Sequence, residues 1–175
     1  MATIFTNESF TIYVGNDDPG NDKRKSVTNL SLPDLEELTA SHHAGGSRIE
    51  VEVAVGGMKA LMVKFKATGW DSQTMSQMGV SGRANYPFTL KSVVRDKATG
   101  RGLGVKVVVW GRLTKLSPSE QKRGDLFGHD HEIKEIVHYE LHYDDSEKYY
   151  WDYASTPEIW RVDGEVQNQD DIDYL

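Results

Sequence analysis

Apolar and polar residues alternate along most of the chain with a period of two, the spacing of strands that keep one face dry and the other wet. Phe10, Ile12 and Val14 alternate with Ser9, Thr11 and Tyr13, and Val51, Val53 and Val55 with Glu50, Glu52 and Ala54. Leu61, Val63, Phe65 and Ala67 alternate with Met62, Lys64, Lys66 and Thr68. Phe88, Leu90, Ser92 and Val94 alternate with Thr89, Lys91, Val93 and Arg95, and Val105, Val107 and Val109 resume the rhythm after Thr99-Gly100-Arg101-Gly102. From Ile133 to Tyr143 the odd positions read Ile, Glu, Val, Tyr, Leu, Tyr and the even positions Lys, Ile, His, Glu, His. Tyr149, Trp151 and Tyr153 close the series, alternating with Tyr150 and Asp152.

Turn chemistry punctuates these segments. Asp163-Gly164, between Trp160-Arg161-Val162 and Glu165-Val166, predicts a tight hairpin, because both residues tolerate positive φ. Asp96 to Gly102 predicts a longer hairpin, and Gly56-Gly57 a turn between the Val51–Val55 and Leu61–Ala67 strands. One short helix is expected from Ser72 to Met78, with Asp71 as N-cap and Gly79 as stop, and a helical turn from Pro33 to Leu38. Leu116–Gly128 reads as a polar loop, and residues 168–175 as a mobile acidic tail. Strands at regular spacing with one short helix predict a mainly β fold, a sandwich or barrel, in a single domain spanning residues 1–175.

Composition narrows the classes. The 175 residues hold four Trp and eight Tyr, enough for a packed core. There is no cysteine, which excludes disulfides and thiolate metal sites. The net charge of −7 disfavours non-specific phosphate binding, which is driven by Lys and Arg. The basic run Lys23-Arg24-Lys25 follows Asp17, Asp18 and Asp22 and reads as a solvated loop. No apolar run approaches the ~20 residues of a membrane span, so no membrane partner is expected. Met1-Ala2-Thr3-Ile4-Phe5 lacks the features of a signal peptide, so the chain is expected to stay in the cytoplasm in which it is made unless lysis releases it.

Candidate chemistry is sparse. On a strand, His138, Glu140 and His142 would share one face at spacings of about 6.6–7 Å, and two imidazoles with a carboxylate can bind a metal. The plainer reading is the polar face of a strand. His129-Asp130-His131 is expected in a loop. Gly100-Arg101-Gly102-Leu103-Gly104 lacks a phosphate-loop Lys and lies between strands, so it reads as a turn. The aromatics Tyr149 to Tyr153 could stack sugars or bases, but such a strand more often supplies core and interface. No nucleophile motif is present, and neither a catalytic residue nor a cofactor is expected.

Leu32 to Gly57 is rich in small residues yet carries Ile49, Val51, Val53 and Val55, the composition of a hairpin that leaves the body to add strands to a neighbour. Here the chain also resembles a known family. Ser31-Leu32-Pro33-Asp34-Leu35 running to His43-Ala44-Gly45-Gly46, then Gly69-Trp70-Asp71, are similar to segments of the tail tube proteins of contractile phages and R-type bacteriocins. Arg95-Asp96-Lys97-Ala98-Thr99-Gly100, Gly111-Arg112, Lys122-Arg123-Gly124-Asp125 and Val162-Asp163-Gly164 continue that resemblance in order. It covers roughly residues 27–166. The family often ends in a helix, whereas this chain is short and acidic after Gly164.

The resemblance implies a structural protein that is not an enzyme. It implies six-membered rings of this chain, stacked into the hollow inner tube of a contractile tail, with a sheath protein outside. The tape measure protein and DNA would occupy the bore without specific binding. It implies a place in the virion, after assembly in the host cytoplasm. On that view residues 40–61 are a projecting hairpin, and Leu32, Pro33, Leu35, Gly45, Gly46, Ile49, Val51, Val53, Gly56 and Gly57 belong to contacts between subunits. The alternatives are a tube protein of a bacteriocin or secretion-type particle without DNA cargo, and a monomeric carbohydrate-binding β-module.

Overall fold

The computed structural model describes residues 4–79 and 84–174. The sequence readings that touch Met1–Thr3 and Leu175 lie outside the described residues. Among the described residues eleven strands and two short α-helices follow in order, with one 3-10 turn (Pro19–Asn21) between the first two strands: β1 (Phe5–Val14), β2 (Val27–Ser31), β3 (Glu37–His42), β4 (Val51–Met58), β5 (Val63–Thr68), α1 (Ser72–Ser76), β6 (Tyr86–Asp96), β7 (Gly102–Pro118), β8 (Gly128–Tyr143), β9 (Ser146–Asp152), β10 (Ile159–Val162), β11 (Glu165–Val166) and α2 (Gln169–Tyr174).

The frame is an antiparallel sheet, β1-β6-β7-β8-β9-β10-β11, in which β6 to β11 form a meander whose turns are set by residues suited to them. Between β6 and β7, Asp96 accepts from the Ala98 amide and the Thr99 hydroxyl, both at 2.8 Å, and Gly100 takes φ 71°. Those bonds, the Thr99 hydroxyl first, hold the Asp96 carboxyl below the usual carboxylate range. Asp144 and Asp145 turn the chain between β8 and β9 with φ 50° and 64°, and Asp163-Gly164 does so between β10 and β11 with φ 50° and 82°. These are the twin positive-φ residues of a tight hairpin.

The sheet rolls around one core. Ile12 and Val14, Val27, Val63 and Phe65, Phe88 and Leu90, Val107 and Val109, and Ile133 and Tyr139 bring six strands into a single buried cluster. The roll closes where the segment before β2 meets β1: the Lys23 amide donates to the Ile12 carbonyl at 3.0 Å, and Tyr13 pairs with Asp22. That segment also covers the outer side of β1, so Thr11 and Tyr13 are buried although their neighbours Ile12 and Val14 already face the core. Helix α1 is pinned there. Asp71 caps it through the Thr74 amide and also binds Lys23 at 2.8 Å, while Gln73 reaches Asn21 at 2.7 Å.

The alternation of β8 is broken where the sequence shows it unbroken. Trp110 pairs with His138 and Arg112 with Lys134, so Glu135, Ile136 and Val137 all stand opposite Gly111. Glu135 takes φ 53°, and the core face steps from Ile133 to Ile136 to Tyr139, in threes instead of twos. Such bulges bend a strand and re-aim its side chains. This one fits only over a glycine: a methyl on Gly111 would stand 2.9 Å from the Lys134 carbonyl oxygen and 3.0 Å from Ile133 Cγ2. The bulge divides β8. Its first part, Gly128–Ile133, pairs with β5, and its last part, His138–Tyr143, pairs with β9.

Five expectations are corrected. His129 and His131 lie on β8 and face the core in phase with Ile133; they are not in a loop. Gly56 and Gly57 sit inside β4 with φ 75° and 88°, as a bulge opposite Leu38, and do not turn the chain into β5. Residues 33–38 form no helical turn: 33–36 have no regular structure, and Glu37 and Leu38 already belong to β3. The acidic tail expected from residue 168 is helical over 169–174 as α2, whose Ile172 amide donates to the Asn168 carbonyl; Asp170 and Asp171 suit its first turn, where free amides favour acids. The expected loop from Leu116 is also shorter, since β7 runs to Pro118.

Gly111→Ala is expected to cost about 1–3 kcal/mol of unfolding free energy by overpacking. Gly104→Ala, which meets open space, is expected to change it by under about 0.5 kcal/mol. Equal urea midpoints for the two variants would contradict the account of the bulge.

A second expectation concerns pH. Burial, and after it the neighbouring His129, push the His131 imidazole below its ordinary value of 6.5. The folded state therefore binds fewer protons than the unfolded chain. The stability from neutral His131 is full above about pH 6.5 and is lost as pH falls through its folded value. Unfolding free energy measured from pH 7 to 5 should decline by up to about 1.4 kcal/mol per unit. His131→Phe, which can keep the stacking on Phe65, should flatten that decline, and an unchanged slope would contradict it.

Candidate functional site

Strands β3 and β4 form a two-stranded sheet of their own. Among the described residues they pair only with each other, so both outer edges of the ribbon carry unpaired amides and carbonyls. Pairs Ala40–Val53 and His42–Val51 place these side chains on one face, while Ser41–Glu52 and Thr39–Ala54 occupy the other. The apolar face is bare: Val51 is 54% exposed, Val53 48% and Val55 58%. Ile49, near the tip, is 72% exposed. A β-branched row of this kind is normal for a strand packed on something, and a long, flat apolar edge left open invites pairing with another chain.

The residues expected at subunit contacts fall in three places. Gly45, Gly46 and Ile49 lie in the loop joining β3 to β4, with Val51 and Val53 beyond it on β4. Gly56 and Gly57 form the bulge near the ribbon's root. Leu32, Pro33 and Leu35 lie on the extended link from β2; Pro33 is buried and Leu35 packs against the core, which leaves Leu32 as the exposed residue of the three.

Beside the ribbon's root the sheet forks. β5 leaves β8 at Ile133 and β9 joins it only at His138, so the bulge at 135–137 faces a gap. The gap is a groove of about 1090 Å³. Met58, Leu61, Ile136, Trp151, Tyr153 and Trp160 line it, together with Asp171 of α2. Four carboxylates, Glu37, Glu135, Glu158 and Asp171, surround it against one lysine, Lys59, which is bound to Glu36 at 2.5 Å. Sequence reasoning missed this groove, because nothing in the alternation of residues 133–143 betrays the bulge that opens it.

The histidine face of β8 is assembled as a strand face. Glu140 stands between His138 and His142, with one oxygen 3.0 Å from Nε2 of the first and the other 3.2 Å from Nε2 of the second. Asp152 approaches His138 Nδ1 at 3.8 Å, and Trp110 and Tyr150 pack edge-on against the His138 ring. Arg161 lies 3.7 Å over the Tyr150 ring and makes two bonds to Glu147, at 3.0 and 2.8 Å. That pairing, its hydrogen bond first, holds the Glu147 carboxyl below its usual range. Among the described residues no group of three or more His, Asp or Glu is placed to hold a metal ion. The Tyr149–Tyr153 aromatics do not form one platform. Tyr149 and Trp151 pack on the core, Tyr150 is covered by Arg161, and Tyr153 is exposed.

No protein of curated function matches the chain in sequence. Solved structures from a contractile injection system resemble it in fold, and a further structure aligns more loosely. A chain from the sheath–tube complex of an extracellular contractile injection system, PVC, in the extended state, aligns with TM-score 0.53 at 10% identity, covering 77% of this chain and 88% of that one. A chain from the sheath/tube terminator of the same system aligns with TM-score 0.54 at 11% identity, covering 77% and 93%. Hcp1 from Salmonella typhimurium aligns over 88% of this chain and all of that one at 13% identity, with TM-score 0.45. A family description, phage tail tube protein FII, matches residues 9–170, from the middle of β1 into α2. With that match over nearly its whole length, the chain belongs to the phage tail tube protein FII family.

Proposed function

We propose that this chain builds the hollow inner tube of a contractile tail by joining copies of itself into rings, six to a ring, that stack coaxially. The observation that carries the reading is the β3–β4 ribbon, with an apolar face and two open edges that the subunit itself leaves bare. Covering each valine is worth about 1 kcal/mol at its present exposure, and the strand edges add main-chain hydrogen bonds. A closed ring consumes such edges without leaving a new one. The protein's work is structural, and the sheath contacts the tube from outside.

The bore is the conduit for the tape measure protein and then DNA. A net charge of −7 on every copy suits a passage in which phosphates are repelled and do not stick. The site of action is the virion, with assembly in the host cytoplasm.

Val51→Asp combined with Val53→Asp is expected to leave the rolled sheet intact, because neither residue belongs to its core. The far-ultraviolet circular dichroism should match that of the unaltered chain. Negative-stain microscopy should find rings or tubes for the unaltered chain and single subunits for the variant. Tubes from the variant, or no annular species from the unaltered chain at high concentration, would refute the reading.

A further inference from the structure

We infer that the groove at the sheet fork is the seat of the β3–β4 ribbon of a second copy, entered tip first. The inference rests on the self-assembly proposed above and assigns its two mating surfaces.

Three observations select the occupant. The groove is apolar inside, with Trp151, Trp160, Tyr153, Met58 and Ile136 on its surface, and so needs an apolar guest. The outer half of the ribbon supplies one: Ile49, Val51 and Val53 are about half exposed or more. The charges also match. The groove is lined by Glu37, Glu135, Glu158 and Asp171 and by Lys59; Arg112 pairs with Glu135 at 3.1 Å and Lys59 with Glu36, so the groove stays net acidic. The joining loop from His43 to Ile49 carries Arg48 and His43 and no acid. Glu50 and Glu52 lie beyond that loop, on the face away from Val51 and Val53, where Glu50 is bound by the Ser41 hydroxyl.

The guest must come from another copy. Glu37, Ala54, Gly56, Gly57 and Met58, at the ribbon's own root, line the groove. The tip lies about eight residues up the strand from that root, on the order of 25 Å away. A ribbon cannot fold back that far into a groove it helps to wall. Tip and groove are different surfaces, so the contact is head-to-tail: every copy gives one ribbon and receives one. Such a contact propagates as a ring or a helical stack, according to its rotation. The wide bulge at Gly56-Gly57, where positive φ at both residues frees the strand from regular pleating, lets the ribbon set its angle to the body at the root.

The absence of native cysteine makes a clean test possible. Two variants, Ile49→Cys and Asp171→Cys, are mixed, allowed to assemble and oxidised gently. Leu126→Cys, exposed and outside the groove, replaces Asp171→Cys in the control. A cross-linked dimer containing one chain of each kind, from the Ile49/Asp171 mixture and not from the control, is the expected result. Assemblies without that cross-link, or with equal capture by Leu126→Cys, would overturn this seat while leaving self-assembly standing. Failure of the unaltered chain to assemble would overturn both.

Charge exchange supplies a second readout that does not depend on cysteine. Arg48→Glu alone and Asp171→Lys alone should each raise the concentration needed for half-assembly by about tenfold, and the two together should recover most of the loss. Additive losses in the double variant would overturn the pairing.

Discussion

A strand must pair its amides and carbonyls, and that requirement organises this molecule. In the rolled sheet most of it is met, by neighbouring strands, by tight turns at Asp96–Gly100, Asp144-Asp145 and Asp163-Gly164, and by the join between the Lys23 segment and β1; the outer edges of β2 and β11 lack a strand partner among the described residues. In the β3–β4 ribbon it is met on the inner edges only. A two-stranded ribbon is marginal by itself in water, and this one shows its valines to solvent as well. The fold thus divides the chain into a part that closes on itself and a part whose closure is left to something else. The proposed reading assigns that role to further copies.

The fork depends on a single small residue. Gly111 lets β8 bulge by Glu135–Val137, and the bulge lets β8 exchange β5 for β9 as its neighbour. Without that exchange the sheet would continue evenly and no groove would open beside the ribbon's root. The same bend brings Trp151 and Trp160 toward Met58 and Leu61, residues from distant parts of the chain. Core packing, the groove and the ribbon's anchorage therefore share one backbone irregularity. Ile136 belongs to the core as well as to the bulge, which ties the groove's shape to the stability of the subunit.

Much of the fold was legible because binary patterning dictates strands. The alternation at Val63–Ala67 and Val105–Val109 marks core strands correctly, and the Asp163-Gly164 turn has the expected geometry. The ribbon was legible from its glycines and valines, although patterning cannot say that Val51, Val53 and Val55 face water while Val63 faces the core. The β8 bulge was hidden because Glu135-Ile136-Val137 keeps a plausible alternation in either phase, and only the glycine on the facing strand decides it. His129 and His131 looked like loop residues because imidazoles are polar. Read backward from Ile133, their spacing of two already placed them on the core face.

The central claim is that assembly closes the ribbon while leaving the body unchanged. Amide hydrogen exchange tests it most directly, comparing dilute single subunits with concentrated assembled material. The account requires the amides of β3 and β4 to pass from fast to slow exchange on assembly, while those of the core strands β6, β7 and β8 stay slow throughout. Assembled material in which the ribbon amides exchange as fast as in the single subunit would contradict it.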